Sequence, residues 1–238
     1  VSIRLIALDM DGTITQHKTP LSPANRHALD LLREKYRIVI VGAGSCMRIH
    51  NQLERYPVDV IGCYGMEFSR YDEDKQMLVI TEKTKIPVTN REAINEKARV
   101  LRERFGFTQY VGDSVEFHDS GMVTLALLGT RANIKDKLAF DPDRSRRKPA
   151  YPAVCEAFGE YTTFIGGSSS FDIVPHPYNK LYALDKYCRL CGYGHDEVVF
   201  IGDDYGPGGN DEQVFTSDIR CIKVDNYLDF PAITAHLL

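Results

Sequence analysis

The first 65 residues alternate between short, wholly apolar runs and amphipathic stretches, and this alternation leaves few folds open. "IRLIALD" (3–9), "RIVIVGAGS" (37–45) and "VDVIGCYG" (58–65) place apolar residues at consecutive positions rather than at every second one. A strand with one wet face alternates apolar with polar, so a continuous apolar run signals burial on both faces, as in a parallel sheet covered by helices. The stretches between these runs have helical spacing. In "SPANRHALDLLREKY" (22–36), Ser22 is placed to cap, Pro23 suits the first helical position, and Ala28, Leu31, Leu32 and Tyr36 form an apolar stripe. "CMRIHNQLERY" (46–56) reads as a second helix. Strand, helix, strand, helix, strand in this order predicts an α/β fold with a right-handed, doubly wound parallel sheet.

The pattern then changes. "QMLVITEK" (76–83) reads as a hairpin strand, and "PVTNREAINEKARVLRERFG" (87–106) as a long helix capped by Thr89 or Asn90. "SVEFHDSG" and "MVTLALLG" read as two strands about a tight turn. The helix-like "NIKDKLAF" and "AYPAVCEAFG" flank a charged loop, "DPDRSRRKP", and "YTTFIGG" and "SSFDIVP" form another hairpin-like pair. This is an antiparallel α+β order. The α/β alternation resumes with a helix at 179–194 and strands at 197–204 and 219–225. The expected organisation is a discontinuous core, 1–85 and 174–238, interrupted by an α+β domain at 86–173. The proline-bearing "KTKIPVT" and "VPHPYNK" are the expected linkers.

Composition narrows the function classes. Of 238 residues, 43% are apolar and 26% charged, as in a globular protein, and a net charge of −4 argues against a general nucleic-acid binder. No apolar run approaches the length of a membrane span, and "IRLIAL" is too short for a signal segment, so the expectation is a cytoplasmic protein without a membrane partner. Its oligomeric state is open between monomer and homodimer. The six cysteines show no disulfide spacing; Cys188 and Cys191 form a single CxxC without the second pair that a zinc site needs, and late in a helix they read as small apolar residues.

Two apolar strands end on acids. "LDMDGTIT" (8–15) carries Asp9 and Asp11, whose spacing in an extended segment points both side chains one way, and Gly12 permits a sharp turn after them. Two carboxylates that close repel, and a divalent cation relieves the repulsion. "FIGDDYGPGGND" ends a second predicted strand on Asp203 and Asp204, then runs through a loop of small residues to Asn210 and Asp211. In a doubly wound sheet the ligand site lies at the carboxyl ends of the strands, so the two acidic ends are expected on one edge, around an oxygen-liganded cation such as Mg²⁺.

These motifs resemble those of the haloacid dehalogenase (HAD) superfamily. "DMDGT" is similar to its DxDGT nucleophile motif, Lys180 in "YNKLYALDKY" to its basic residue at a helix start, and "GDDYGPGGND" to its acidic fourth motif. The point of insertion resembles the larger cap of the sugar-phosphate members. The spacing GD-x-x-x-PGGND and the stretch "GGSSSFDIVP" (166–175) resemble the eukaryotic-type phosphomannomutase family. The resemblance implies a HAD core with an α+β cap that sets substrate specificity. It implies Asp9 as the nucleophile that becomes an aspartyl phosphate, Asp11 as general acid and then base, and Lys180 as the cation beside them. Mg²⁺ is implied at the side chains of Asp9 and Asp203 and the carbonyl of Asp11, with Asn210 and Asp211 supporting the metal site. Ser45, or the backbone near Gly44, is the implied phosphate contact in "VGAGS" (41–45); a nucleotide reading of "GAGSCM" lacks the third glycine of GxGxxG.

In the cap, Ser170 and Asp172 match positions that contact sugar hydroxyls, but the arginines that grip a distal phosphate in phosphomannomutases do not recur. His118 stands at one, Thr130 beside Arg131 at a second, and Lys137 near a third. The run "RSRRK" (144–148) reads as a solvated loop, with phosphate binding as the competing role. The sequence therefore favours a Mg²⁺-dependent sugar-phosphate phosphatase, with a phosphomannomutase as the alternative. A non-catalytic sugar-phosphate sensor is a third reading, opposed by the presence of Asp9, Asp11, Lys180 and Asp203 together.

Overall fold

The structure is a computed structural model and describes residues 2–238. It divides into two compact units: one comprises residues up to Thr84 with Tyr178–Pro207 and Asp211–Leu238, the other Lys85–Pro177 with Gly208–Asn210.

The first unit opens with β1 (Leu5–Leu8), α1 (Pro23–Arg33), β2 (Arg37–Val41), α2 (Cys46–Gln52) and β3 (Asp59–Gly62). Ser22 caps α1, its side chain accepting from Asn25 N, and Pro23 occupies the first turn as expected. Helix α2 is shorter than the sequence suggested. It stops at Gln52 because Glu54 and Arg55 take positive φ, and the chain turns back on itself there. After β3 a short turn with Cys63 and Tyr64 at positive φ reverses the chain into β4 (Glu67–Asp72), which pairs antiparallel with β3 and with β5 (Met77–Lys83). Strand β4 was not foreseen, and its first three positions are buried like those of β3.

The second unit supplies α3 (Arg91–Phe105), β6 (Val115–Phe117), β7 (Val123–Ala126), α4 (Ile134–Phe140), α5 (Tyr151–Ala157), β8 (Tyr161–Phe164) and β9 (Ser170–Pro175). The chain then completes the first unit with α6 (Lys180–Cys191), β10 (Val198–Gly202), α7 (Glu212–Phe215), β11 (Arg220–Lys223) and α8 (Phe230–Thr234).

The first unit's sheet has the order β11-β10-β1-β2-β3-β4-β5; the five strands from β11 to β3 run parallel, and β4 and β5 make an antiparallel edge. Its apolar runs are continuous because both faces are covered. Ile6, Leu8, Ile38, Ile40, Val199 and Ile201 pack with Leu29 and Leu32 of α1, Ile49 of α2 and Phe230 of α8. The alternate positions Leu5, Ala7, Val39, Val41, Val198 and Phe200 pack with Ala183, Leu184 and Tyr187 of α6 and Val214 of α7. Each fully buried aliphatic or aromatic side chain contributes about 1.5–3 kcal/mol. Cys188 is buried in the second of these layers, as expected of a small apolar residue. Cys191 instead accepts a hydrogen bond from Arg70 Nη2 at 3.1 Å.

The second unit is a four-stranded antiparallel sheet, β6-β7-β9-β8, with α3 and α5 on one face. Val115, Val123, Leu125, Phe171 and Ile173 pack against Ile94, Ala98 and Leu101 of α3 and Val154 of α5. Asn90 stands at the N-cap of α3 without a side-chain cap bond, and Gly106 ends the helix in the left-handed region. The run at 144–148 is exposed at Ser145, Arg146 and Lys148, as expected of a solvated loop, but Arg147 departs from that expectation. Arg147 is 1% exposed, its Nε meets Asp141 Oδ2 at 2.8 Å, and its Nη1 donates to Gly166 O at 2.7 Å. Arg146 lies over the Phe140 ring at 4.3 Å. No helix among the described residues is long and apolar enough to cross a membrane.

Candidate active site

Parallel pairing brings the two acidic strand ends together. β1 and β10 are neighbours in register, Leu8 opposite Ile201, so the residues that follow them leave the sheet side by side. Asp9 N still donates to Ile201 O at 2.9 Å, which holds Asp9 at the strand end with 7% of its surface exposed. Asp203 follows Gly202 directly. The two glycines have physical reasons. Gly12 has φ +96°, and a Cβ there would lie 2.3 Å from Asp203 Oδ2; a Cβ at Gly202 would lie 2.4 Å from Asp211 Oδ2. The carboxylates occupy the space that side chains would fill.

Lys180 is the first residue of α6, behind an Asn179 cap that accepts from Tyr182 N at 2.8 Å. Its ammonium is completely buried and bridges Asp9 Oδ1 at 2.5 Å and Asp211 Oδ1 at 2.7 Å. The other oxygen of Asp211 accepts from Asp204 N at 3.0 Å, so both of its oxygens are engaged. Thr13, fully buried, donates to Asp203 Oδ1 at 3.0 Å and lies 3.4 Å from Asp9 Oδ2. Asp9, Asp203 and Asp211 each offer an oxygen within 4.8 Å of the others.

Charge decides what this cluster needs. Burial raises Asp9 to about 7, with Asp203 adding to the rise and Lys180 opposing it. Burial likewise lifts Asp211 to about 7, with Lys180 opposing and Asp9 adding. Asp203 goes to about 6, again chiefly by burial, with Asp211 and Asp204 adding. For Lys180 burial acts downward, but Asp211 and Asp9 outweigh it and push the ammonium up. One ammonium faces three carboxylates, so full ionisation leaves an excess of negative charge out of water. The donors are all oxygen, crowded and short of positive charge, and they fit a hard divalent cation. Asp9 and Asp203 have the freer oxygens; Asp211 is spent on Lys180 and Asp204.

The expectation that Asp9 and Asp11 crowd each other is corrected here. The Asp11 carboxylate shares no hydrogen-bond partner with Asp9. Its Oδ1 accepts from Gln52 Nε2 at 2.6 Å, Lys18 N at 3.0 Å and Thr15 Oγ1 at 3.4 Å. Asp11 is no longer in an extended segment: Thr13 N donates to Met10 O at 3.2 Å, which closes a turn across Asp11 and Gly12. The acids that crowd Asp9 come from the other strand end.

Ser45 caps α2, its oxygen accepting from Arg48 N at 3.3 Å. Arg48 folds over Gly44, where a Cβ would lie 2.3 Å from Arg48 Nε. Cys46 N donates to the buried Glu67 at 2.9 Å, and Glu67 pairs with Lys83 at 3.0 Å, which anchors the start of α2. Thr13, Arg48, Gln52 and Glu67 were not among the residues expected at the site. Ser45, Arg48 and Gln52 are spaced three and four apart, one helix face, and that periodicity was a usable signal.

In the second unit, His118, Ser170 and Asp172 come to one face of the sheet. Glu116 pairs with Thr124 and Thr124 with Asp172, so these point away from the apolar core, as do Ser170 and His118 two residues along their strands. His118 Nε2 meets Thr124 Oγ1 at 3.0 Å, and Ser170 Oγ donates to Gly166 O at 3.1 Å. Arg131 lies beyond the other end of β7, in a cavity of about 640 Å³ with Tyr110, Val111 and Asn133. Lys137 Nζ donates to Thr130 O at 3.3 Å. Asn210 falls in the segment that groups with this unit.

The family model described as eukaryotic phosphomannomutase matches residues 25–229. A phosphomannomutase of Saccharomyces cerevisiae is 28% identical over 225 residues, covering 90% of this chain and 85% of its own. Among solved structures, the truncated, IMP-bound IMP-nucleotidase of Plasmodium falciparum has a TM-score of 0.70 at 14% identity, covering 98% of this chain and 68% of that one. A haloacid dehalogenase-like hydrolase from Bacteroides thetaiotaomicron has a TM-score of 0.54 at 16% identity, covering 88% and 84%. The likeness to these two structures concerns the fold alone. The chain belongs to the eukaryotic phosphomannomutase family within the HAD superfamily, and it is an enzyme of that superfamily's phosphoryl-transfer type.

Proposed function

We propose that this enzyme moves the phosphoryl group of a sugar phosphate through an aspartyl phosphate on Asp9. The observation that carries the reading is the buried Lys180 bridge from Asp9 to Asp211 beside Asp203. Asp9 attacks phosphorus, and the bond from phosphorus to the sugar oxygen breaks as Asp11 delivers a proton to that oxygen. Asp11, now ionised, then takes the proton of the incoming hydroxyl as it attacks the aspartyl phosphate, which frees Asp9. Lys180 offsets the charge that gathers on the phosphoryl oxygens and holds Asp9 in place, while Thr13 and Asp211 hold Asp203 and Lys180. Mg²⁺, held by Asp9 and Asp203, supplies positive charge to the phosphoryl oxygens when bound. Ser45 and the amides near Gly44 are the phosphate contacts. The second unit is the cap, and His118, Ser170 and Asp172 on its polar face meet the sugar.

The relatives are named phosphomannomutases, and this supports return of the phosphoryl group to another hydroxyl of the sugar, over the hydrolysis that the sequence favoured. Hydrolysis stands as a second reading for one reason: Arg147, Lys137 and Arg146 are engaged separately, with Asp141, Thr130 and the Phe140 ring, which leaves the grip on a distal phosphate to Arg131 in its cavity. A distal phosphate needs charge-assisted bonds worth roughly 1.5–3 kcal/mol each. The test supplies hexose monophosphates and Mg²⁺, with and without a hexose bisphosphate, and follows isomer and inorganic phosphate together. Bisphosphate-stimulated isomerisation with little free phosphate supports the mutase; stoichiometric phosphate without stimulation supports the phosphatase. Full activity after chelation of divalent ions, or in Asp9→Asn, sinks both.

A further inference from the structure

The amide of Gln52 is bonded on every side. Nε2 has two hydrogens, and acceptors lie at 2.6 Å (Asp11 Oδ1) and 3.1 Å (Thr19 O). Its Oε1 accepts from Arg48 Nη1 at 3.2 Å. Turning the amide over would set its oxygen against the Asp11 carboxylate and a carbonyl and its NH₂ against a guanidinium, so the network admits one orientation. Gln52 ends α2, the helix that Ser45 caps, and the helix therefore ties the Asp11 carboxylate to the loop that meets phosphate.

We propose that Gln52 is the positioning residue for Asp11. The inference rests on the reading of Asp11 as the group that gives and takes the proton. Gln52, Lys18 N and Thr15 Oγ1 all bond to Oδ1, while Oδ2 lies 4.0 Å from Arg48 Nη2. Oδ1 is thus anchored, and Oδ2 is the atom left to carry the proton. As the bond from phosphorus to the sugar oxygen breaks, the proton on Oδ2 passes to that oxygen and the carboxylate remains; the proton of the incoming hydroxyl returns to the same atom. Without the Gln52 donor Oδ1 loses the shortest of its three bonds, the carboxylate gains freedom about its last bond, and Oδ2 is aimed less closely.

Leaving-group chemistry separates this role from a structural one. An alkoxide leaving from a hexose phosphate needs the proton; the stabilised phenolate leaving from p-nitrophenyl phosphate needs it far less. The full-length enzyme with Mg²⁺ is assayed on both as wild type, Gln52→Leu, Gln52→Glu and Asp11→Asn. Gln52→Glu keeps the size and the bond to Arg48 but removes the donor, so it decides the matter if the leucine variant folds poorly. The expected result is a fall in kcat on hexose phosphate of about ten- to a hundredfold with KM little changed, the scale of a misplaced catalytic group. The loss on p-nitrophenyl phosphate should be at least about tenfold smaller, and Asp11→Asn should show the same contrast more strongly. Equal losses on both substrates, or a raised KM with kcat kept, overturn the proposal while the Asp11 contrast leaves the underlying reading standing. If Asp11→Asn shows no contrast, the reading of Asp11 fails and the role of Gln52 fails with it.

Discussion

Replacing Lys180 by methionine removes one ammonium from the most charge-crowded place in the first unit and keeps nearly all of its bulk. Lys180 is fully buried, and it is the cation that Asp9 and Asp211 share. Even with it in place, burial and neighbouring acids hold Asp9 near 7 rather than 3.8. At about 1.36 kcal/mol per pKa unit, ionising Asp9 in the folded chain costs on the order of 4 kcal/mol above pH 7. Both Asp9 and Asp211 have folded pKa values above their unfolded ones, so their contribution favours the folded state fully below about pH 4 and is lost as the pH rises through about 7. Without the ammonium both folded pKa values rise further, so the loss continues to higher pH and is deeper. Lys180→Met should therefore destabilise the metal-free chain by about 3–5 kcal/mol at pH 7.5, the usual cost of stripping one partner from a buried ion pair. The deficit should shrink markedly at pH 5, where the two acids take up protons. Urea unfolding at the two pH values, with a chelator present, measures both. A deficit that is the same at pH 5 and pH 7.5, or absent at pH 7.5, would refute the charge argument and leave Lys180 a packing residue.

Arg147→Met should cost about 3–5 kcal/mol in the same assay, because Asp141 is left buried without its cation; a cost within about 0.5 kcal/mol, the range of ordinary surface changes, would make Arg147 one more residue of the solvated loop. Gly12→Ala should lower the melting temperature and weaken Mg²⁺ binding together, since the new methyl meets Asp203 at a backbone angle that costs on the order of 1–3 kcal/mol; unchanged Mg²⁺ affinity would contradict the close approach. The Asp218 bond first, and Asp185 on the other ring nitrogen, raise the His195 pKa above its ordinary value. Its stabilising contribution is fully present below its ordinary 6.5 and is lost as the pH rises through the raised value. His195→Gln should remove that slope from the stability profile, and an NMR titration showing a lowered His195 pKa would contradict it.

Part of the site was legible because its chemistry is local. Asp9, Asp203 and Lys180 each stand at the first turn after a strand or at the start of a helix, and strand ends and helix starts are marked by apolar runs, glycines and caps. Pairing β1 with β10 then follows from parallel strands buried on both faces. The partners of the Asp11 carboxylate were not legible, because they depend on the turn closed by Thr13 N and Met10 O and on Gln52 of α2, 41 residues away. Arg147 misled for a similar reason. A run of charges in a loop looks solvated until a buried aspartate six residues earlier and three carbonyls from the 166–170 turn are seen to surround one of them.

The sequence by itself determined the layering of this protein. Continuous apolar strands and amphipathic helices admit a doubly wound sheet and little else, since an apolar strand left wet on one face is unstable. It also marked the break in that pattern, and it placed acids at two strand ends. Only the tertiary structure decided which acids meet. Carboxylates attached to different strands repel or share a cation according to distances of a few ångströms, and those distances are set by strand register and by two glycines without side chains in the way. The sequence counts the charges, but the packing decides their neighbours, and neighbours at low dielectric carry the energy.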